Sequence, residues 1–284
     1  VIRVKAPVER IMVENDRAVG VRMTDGEEIR ARRVVSSAGV LNTFTKLLDP
    51  HPRTDAMVRR VKSLPRAYEY MNLFMGLDTS PAELGLGREN HWIYREWKGW
   101  DRIFWDVEDP TREGGPKIIF INSSSMKDPQ FGMHGNVGHN AQVVFIGKQG
   151  VFNRWRGSRW RRRGDEYEAM KQNVADALVA AIDRHFPGFA SHVVHTEVGT
   201  NLTYEHFSAH PGGIPYGIAP IPERYQNMDM RPATPIRDLY LCGQDLVMPG
   251  LSAAFGSAMM CATLIRRRNV GGWLRRRGRR ILGL

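Results

Sequence analysis

The chain has 284 residues, 42% hydrophobic and 25% charged, which is enough for one large domain or two modest ones with a buried core. That composition excludes a disordered polymer, two cysteines exclude a disulfide-stapled scaffold, and no apolar run approaches the ~18 residues that a membrane span needs. The net charge of +11 would point to nucleic acid if it were spread evenly, but fourteen arginines sit in two runs. These are Arg154, Arg156, Arg159, Arg161, Arg162 and Arg163, then Arg266, Arg267, Arg268, Arg275, Arg276, Arg277, Arg279 and Arg280. With those set aside, 27 basic residues face 30 acidic ones, so the body is ordinary and two segments are basic. No secretory signal segment opens the chain, and it starts on Val1, not methionine, so its first residues are expected to follow a cut.

From Val1 to Val35 the pattern predicts a β-meander: residues 1–4, Val8 to Val13, Ala18 to Thr24 and Arg33 to Val35, with turns at Glu14-Asn15-Asp16 and Asp25-Gly26. Helices are expected over Asn42 to Leu48 and Thr54 to Ser63, punctuated by Pro50, Pro52 and Pro65. Strands are expected at Tyr68 to Met75, His91 to Glu96, Ile103 to Val107, Lys117 to Asn122 and Gln142 to Ile146. No crossover-length helix separates them, so they read as antiparallel. Gly164 to Phe186 is a helix with Asp165 as cap and Tyr167, Met170, Val174, Leu178, Ala181 and His185 spaced by three or four; Pro187-Gly188 stops it. A strand at Val193 to Val198, a Gly/Pro-rich loop from Pro211 to Pro235, a strand at Asp238 to Cys242 and a small-residue helix from Leu251 to Ile265 follow.

The last of these carries chemistry. Leu239-Tyr240-Leu241 is apolar enough for a buried parallel strand, and Asp245 lies just past its carboxyl end, where such sheets bind ligands and a carboxylate can accept from a sugar or polyol hydroxyl. Pro249 and Gly250 open a helix whose N–H groups and dipole favour an electron-rich partner, and Ala253, Ala254, Gly256, Ser257 and Ala258 keep it thin.

The string Thr234-Pro-Ile-Arg-Asp-Leu-Tyr-Leu-Cys-Gly-Gln-Asp-Leu-Val-Met-Pro-Gly-Leu-Ser-Ala-Ala-Phe-Gly-Ser-Ala resembles the C-terminal flavin-binding motif of the phytoene desaturase-like and retinol saturase-like FAD oxidoreductases. Upstream, Val198-Gly-Thr-Asn-Leu-Thr-Tyr-Glu-His-Phe, Gly213-Ile-Pro-Tyr-Gly and Ser123-Ser-Ser-Met-Lys-Asp-Pro look like other blocks of that family. So do Ala6-Pro-Val-Glu-Arg-Ile, Ala18-Val-Gly-Val and Val34-Val-Ser-Ser-Ala-Gly. The resemblance reaches to about Arg268. It implies a mixed α/β fold: the C-terminal part of an FAD/NAD(P)-binding Rossmann-type domain with an antiparallel-sheet substrate domain. The expected boundaries are 1–49 for part of the FAD domain, 50–230 for the substrate domain, 231–268 for the FAD-domain return and 269–284 for a basic tail.

The family's G-x-G-x-x-G turn, which seats the FAD pyrophosphate on a helix end, is not in these residues. The nearest cluster, Gly132-Met-His-Gly-Asn-Val-Gly, follows no strand. The chain is therefore expected to be the C-terminal portion of a longer enzyme.

Residue by residue, the resemblance implies FAD contacts from Val8, from Ser37, Ala38 and Gly39, from Gly243, Gln244 and Asp245, and from Pro249, Gly250, Leu251 and Ser252. In the common flavoprotein motif Gly is followed directly by Asp, whereas here Gln244 intervenes, so either Asp245 or Gln244 faces the ribitol. Tyr204, His206 and Tyr216 are candidates for a proton donor or acceptor, or else hydrogen-bonded packing residues. The nine histidines show no metal spacing, and no metal is assigned.

The implied reaction is desaturation, saturation or isomerisation at carbon–carbon bonds of a lipophilic polyene or isoprenoid. The alternatives are a non-catalytic remnant and a basic RNA-binding protein. The Arg154 to Arg163 run with Trp155 and Trp160 suits an anionic membrane interface or RNA; so does the tail, where Val270, Trp273, Leu274 and Ile281 would share a helical face. A cytoplasmic protein peripherally bound to an anionic membrane is preferred over one bound to nucleic acid.

Overall fold

The computed structural model describes residues 1–95, 105–110, 115–133, 135 and 138–266. It divides into two compact units, one formed by Val1–Ala67 with the chain from Tyr216 onward, the other by Tyr68–Pro215.

The first unit opens with three antiparallel strands, β1 (Val8–Glu14), β2 (Arg17–Met23) and β3 (Glu28–Arg30), in that order in the sheet. Asn15 and Asp16 both take positive φ in the β1–β2 turn, a conformation that short polar side chains tolerate. The first four residues form no strand, so the expected first arm of the meander is absent. Strand β4 (Val34–Ser36) leads through Gly39 into a short helix, α1 (Val40–Asn42), and a single π-helical turn over Thr43–Leu47. The expected helix there is widened because hydroxyls compete for its carbonyls: Thr43 Oγ1 donates to Gly39 O and Thr45 Oγ1 to Leu41 O, each at 2.7 Å. Helix α2 (Pro52–Ser63) begins with Pro at its first position and buries Met57 and Val61.

The second unit is built on a five-stranded antiparallel sheet. Its strands are β5 (Tyr70–Leu77), β6 (His91–Tyr94), β7 (Ile118–Asn122), β8 (His139–Ile146) and β9 (Val193–Gly199), ordered β6-β7-β8-β5-β9. The one-turn helix α3 (Ser124–Lys127) links β7 towards β8. The 19-residue α4 (Asp165–Asp183) lays Tyr167, Met170, Val174, Leu178 and Ile182 on the sheet face that carries Met71, Leu73, Met75, Val143 and Phe145. Strand alternation sends the next residues to the other face. There Trp92, Phe120, Val144 and Asn72 lie in one register row, and Phe74 pairs with Gln142 in the neighbouring one. Trp92 is 60% and Phe74 45% exposed, so this face is apolar and open within the unit.

The residue at the helix cap of α4 is Gly164, not Asp165; Asp165 is the first helical residue, where with Glu166 and Glu168 it opposes the positive end of the dipole. Of the expected strand at Ile103 to Val107, Trp105 forms an isolated bridge with Gly147, while 103 and 104 lie outside the described residues, as do 267–284 with the expected tail. Helix α5 (Asn201–Ser208), capped by Thr200, closes the unit.

The chain then returns to the first unit through α6 (Pro222–Gln226), β10 (Leu239–Leu241) and α7 (Leu251–Arg266). β10 pairs in parallel with β4, Leu239 beside Val34 and Leu241 beside Ser36. Met57, Val61, Ile218 and Met230 share one core with Ile11, Val34, Leu239 and Leu241. As packing units, residues 50–67 and 216–230 therefore belong with the first unit, inside the 50–230 span that the sequence assigned elsewhere.

Glu69 is a buried carboxyl at the head of β5. Burial pushes its pKa up, and a Gly150 N–H at 3.0 Å and the Arg156 charge offset part of that. A folded-state value above the unfolded one favours the folded state at acid pH, and that advantage is lost as pH rises through the raised value. Glu69→Gln, which keeps an acceptor for Gly150 without the charge, is expected to raise the thermal midpoint at neutral pH. The gain should vanish by about pH 4; an equal gain at both pH values would contradict the assignment.

Candidate functional site

The two parallel strands end side by side, with Cys242 N donating to Ser36 O at 2.9 Å where both chains leave the sheet. Beyond β4 come Ser37, Ala38 and Gly39; beyond β10 come Gly243, Gln244 and Asp245. Carboxyl ends of parallel strands are where open sheets of this kind receive ligands. Gly243 takes φ +108, and its N–H donates to Ser257 Oγ on α7 at 2.8 Å, which fixes the turn to that helix.

Asp245 is only 6% exposed. Its Oδ2 accepts from Val40 N at 2.8 Å and so caps α1. Two glycines make room for the carboxylate: a Cβ on Gly39 would stand 3.1 Å from Oδ2 and one on Gly217 2.6 Å from Oδ1, with φ of +87 and +62. Oδ1 is buried and has no hydrogen-bond partner among the described residues. An unsatisfied buried carboxylate oxygen is costly, and a ligand hydroxyl that donates to it removes the cost. Between Gln244 and Asp245, it is Asp245 that presents a buried acceptor.

Arg224 fixes this turn from behind. It is 2% exposed and donates to the carbonyls of Ile218 at 2.6 Å, Gln244 at 2.8 Å and Asp245 at 2.9 Å. Burial lowers its pKa while Asp245 opposes that shift. Arg66, half-buried, also feels burial first and the Asp245 charge second, and its Nη1 is buried without a partner among the described residues. An unsatisfied donor and an unsatisfied acceptor thus lie within electrostatic reach of each other.

The remaining expected residues are dispersed. Val8 is in β1, paired with Met23. Gly250 has φ +116 and, its chain neighbours apart, no atom of the described residues lies within 4 Å of where a Cβ would be, so the space beside it is open among them; Leu251 and Ser252 begin α7 exposed. Tyr204 donates its hydroxyl to Asn72 Oδ1, whereas His206 stacks on Trp160 at 5.0 Å; two positions apart on α5, they point to different sides and form no shared relay. Tyr216 belongs to the other compact unit. Sequence reasoning missed Arg66, Gly217 and Arg224. Gly217 was visible within Gly213-Ile-Pro-Tyr-Gly, but an arginine in a Pro-rich loop gives no sign that it will be buried.

Residues 1–251 match the family described as flavin containing amine oxidoreductase. The chain belongs to that family. Among curated relatives it is similar to all-trans-retinol 13,14-reductase of Danio rerio, 30% identical over 280 residues that cover 95% of this chain and 46% of the relative. It is also similar to the chloroplastic prolycopene isomerase of Daucus carota, 29% identical over 92% of this chain and 39% of the relative. The chain spans less than half the length of these relatives. Among solved structures, an oxidoreductase from Methanosarcina mazei aligns with TM-score 0.53 and 15% identity over 92% of this chain and 49% of its own, a likeness of fold.

Arg224→Met would leave three buried carbonyls without their donor, at a cost of about 3–5 kcal/mol, and Arg224→Lys should recover only part of it. Urea unfolding measures both; a loss below about 1 kcal/mol for the Met variant would mean that the clamp is dispensable.

Proposed function

We propose that this chain supplies the C-terminal part of the cofactor site and the substrate sheet of an FAD-dependent oxidoreductase acting on carbon–carbon double bonds of a lipophilic polyene or isoprenoid. The observation that carries the cofactor assignment is the buried Oδ1 of Asp245, without a partner among the described residues, at the carboxyl ends of two parallel strands. It fits a polyol hydroxyl, as in the ribitol chain of a flavin. Arg66 Nη1 fits an oxyanion of the same molecule, and the open space at Gly250 lets backbone approach a planar ring.

Bound flavin would supply electron and hydride transfer, so this chain's residues need only hold the cofactor, orient the polyene and exclude water. The open sheet face with Trp92, Phe120, Val144 and Phe74 offers an apolar platform to an extended isoprenoid, with Asn72 and Gln142 able to orient a polar end. The relatives' names, a retinol reductase and a prolycopene isomerase, support that substrate class. Saturation, desaturation and isomerisation all remain within this reading.

Because the phosphate-cradling glycine turn is not among these 284 residues, FAD is expected to bind them weakly, below one equivalent after purification with added cofactor. Near-stoichiometric yellow protein would contradict that. Fluorescence titration with FAD should show Asp245→Ala weakened about ten- to a hundredfold, the value of one charge-assisted hydrogen bond. Arg66→Met should weaken FAD binding but spare riboflavin, which lacks the phosphates. Unchanged FAD affinity in both variants would overturn the site.

A further inference from the structure

The arginine run of the second unit separates into two kinds of residue. Arg154 lies 4.1 Å over Trp155 and reaches Glu166 at 3.1 Å; Arg156 pairs with Glu205 at 3.0 Å; Arg163 donates to Leu202 O and lies over Tyr167. Trp155 itself packs on Phe152 and Tyr167 against the core, so it is not the surface anchor that its composition implied. Arg159, Arg161 and Arg162 are exposed and make no ion pair among the described residues.

Those three cations share one turn with Trp160, closed by Arg162 N donating to Arg159 O at 2.9 Å, and Trp160 joins an aromatic cluster drawn from two separate segments. Trp160 stacks on His206 with 14° between the rings, Phe207 packs edge-on to both, and the Arg161 guanidinium lies 4.5 Å over Trp160. Phe207, at the end of α5, is 67% exposed. Arg161 holds φ +61, which turns the backbone sharply within the Arg159 to Arg162 turn.

We propose that Trp160, Phe207, Arg159, Arg161 and Arg162 form a docking surface for an anionic lipid bilayer. The chemistry favours this occupant. Guanidiniums pair with lipid phosphates, while a tryptophan and an exposed phenylalanine settle at the boundary between headgroup and acyl chain. RNA is the rival for any cationic aromatic surface, but base stacking needs an open ring face, and Trp160 already carries His206 stacked on it and the Arg161 guanidinium over it. The patch lies wholly within the second unit and does not depend on the oxidoreductase reading.

The test is co-sedimentation of the full 284-residue chain with equimolar phosphatidylcholine–phosphatidylserine vesicles and with pure phosphatidylcholine. The wild type should prefer the anionic vesicles and lose that preference in high salt. Near the surface each arginine is worth about fivefold in partition, so R159Q/R161Q/R162Q should bind on the order of a hundredfold more weakly. Phe207→Ser removes the apolar anchor and should cost about tenfold, with salt dependence unchanged. The basic tail is present in every variant, so the differences report this patch alone; of the altered side chains, Arg161 and Phe207 touch Trp160, while Arg159 and Arg162 are exposed. Wild-type partition in both variants, or equal binding to neutral vesicles, overturns the proposal. So does tighter binding to polyuridylic acid than to anionic vesicles that both variants lose together.

Discussion

A carboxylate with one oxygen satisfied and, among the described residues, the other not governs the first unit. Asp245 joins segments 205 positions apart by accepting from Val40 N, and its own backbone is held by a fully buried guanidinium. Burying that carboxylate is offset by the Val40 N–H that donates to it and by the guanidiniums of Arg224 and Arg66 within electrostatic reach. The glycines around it follow from the same need. Gly39 and Gly217 stand where any side chain would press on the carboxylate, and their positive φ lets the two loops close over it.

That unit is discontinuous, yet the insertion does not disturb it. Just before the chain leaves and just after it returns, Arg66 bridges Ile218 and Ala67 N donates to Gly217 O at 3.0 Å. The two crossings form a paired stem, so the inserted residues behave as one closed loop with their own core. Closing a loop of that length costs little more than closing a short one, because the entropy grows only with the logarithm of length. The β4–β10 pairing can therefore be specified by three residues on each strand once the stem is in place.

What was legible in the sequence is what local periodicity controls. The alternation of Val8 to Val13 and Ala18 to Thr24, and the three-to-four spacing from Tyr167 to Ala181, lead directly to β1, β2 and α4, because the buried faces of those elements repeat at 2.0 and 3.6 residues. Gly243 and Asp245 were legible for a different reason: strand, turn and small-residue helix in close succession leave few structures open. Arg224 and Arg66 were not, since what buries them is a loop returning from a different part of the chain. Nor could composition separate Trp155 from Trp160. Trp155 turns into the Phe152–Tyr167 cluster a few to a dozen positions away, whereas Trp160 meets His206 and Phe207, about 45 residues away.

Charge around Asp245 adds a constraint that hydrogen bonding alone does not. Two guanidiniums, Arg66 and Arg224, act on one carboxylate, and the surplus is positive in a region that solvent reaches only in part. Arg224 spends its donors on three backbone carbonyls, whereas Arg66 keeps Nη1 buried and uncommitted among the described residues. A neutral polyol would satisfy Oδ1 and leave that surplus uncompensated. A ligand carrying both a hydroxyl and an oxyanion satisfies acceptor, donor and charge together, and the fit is better for a phosphorylated polyol than for either group alone.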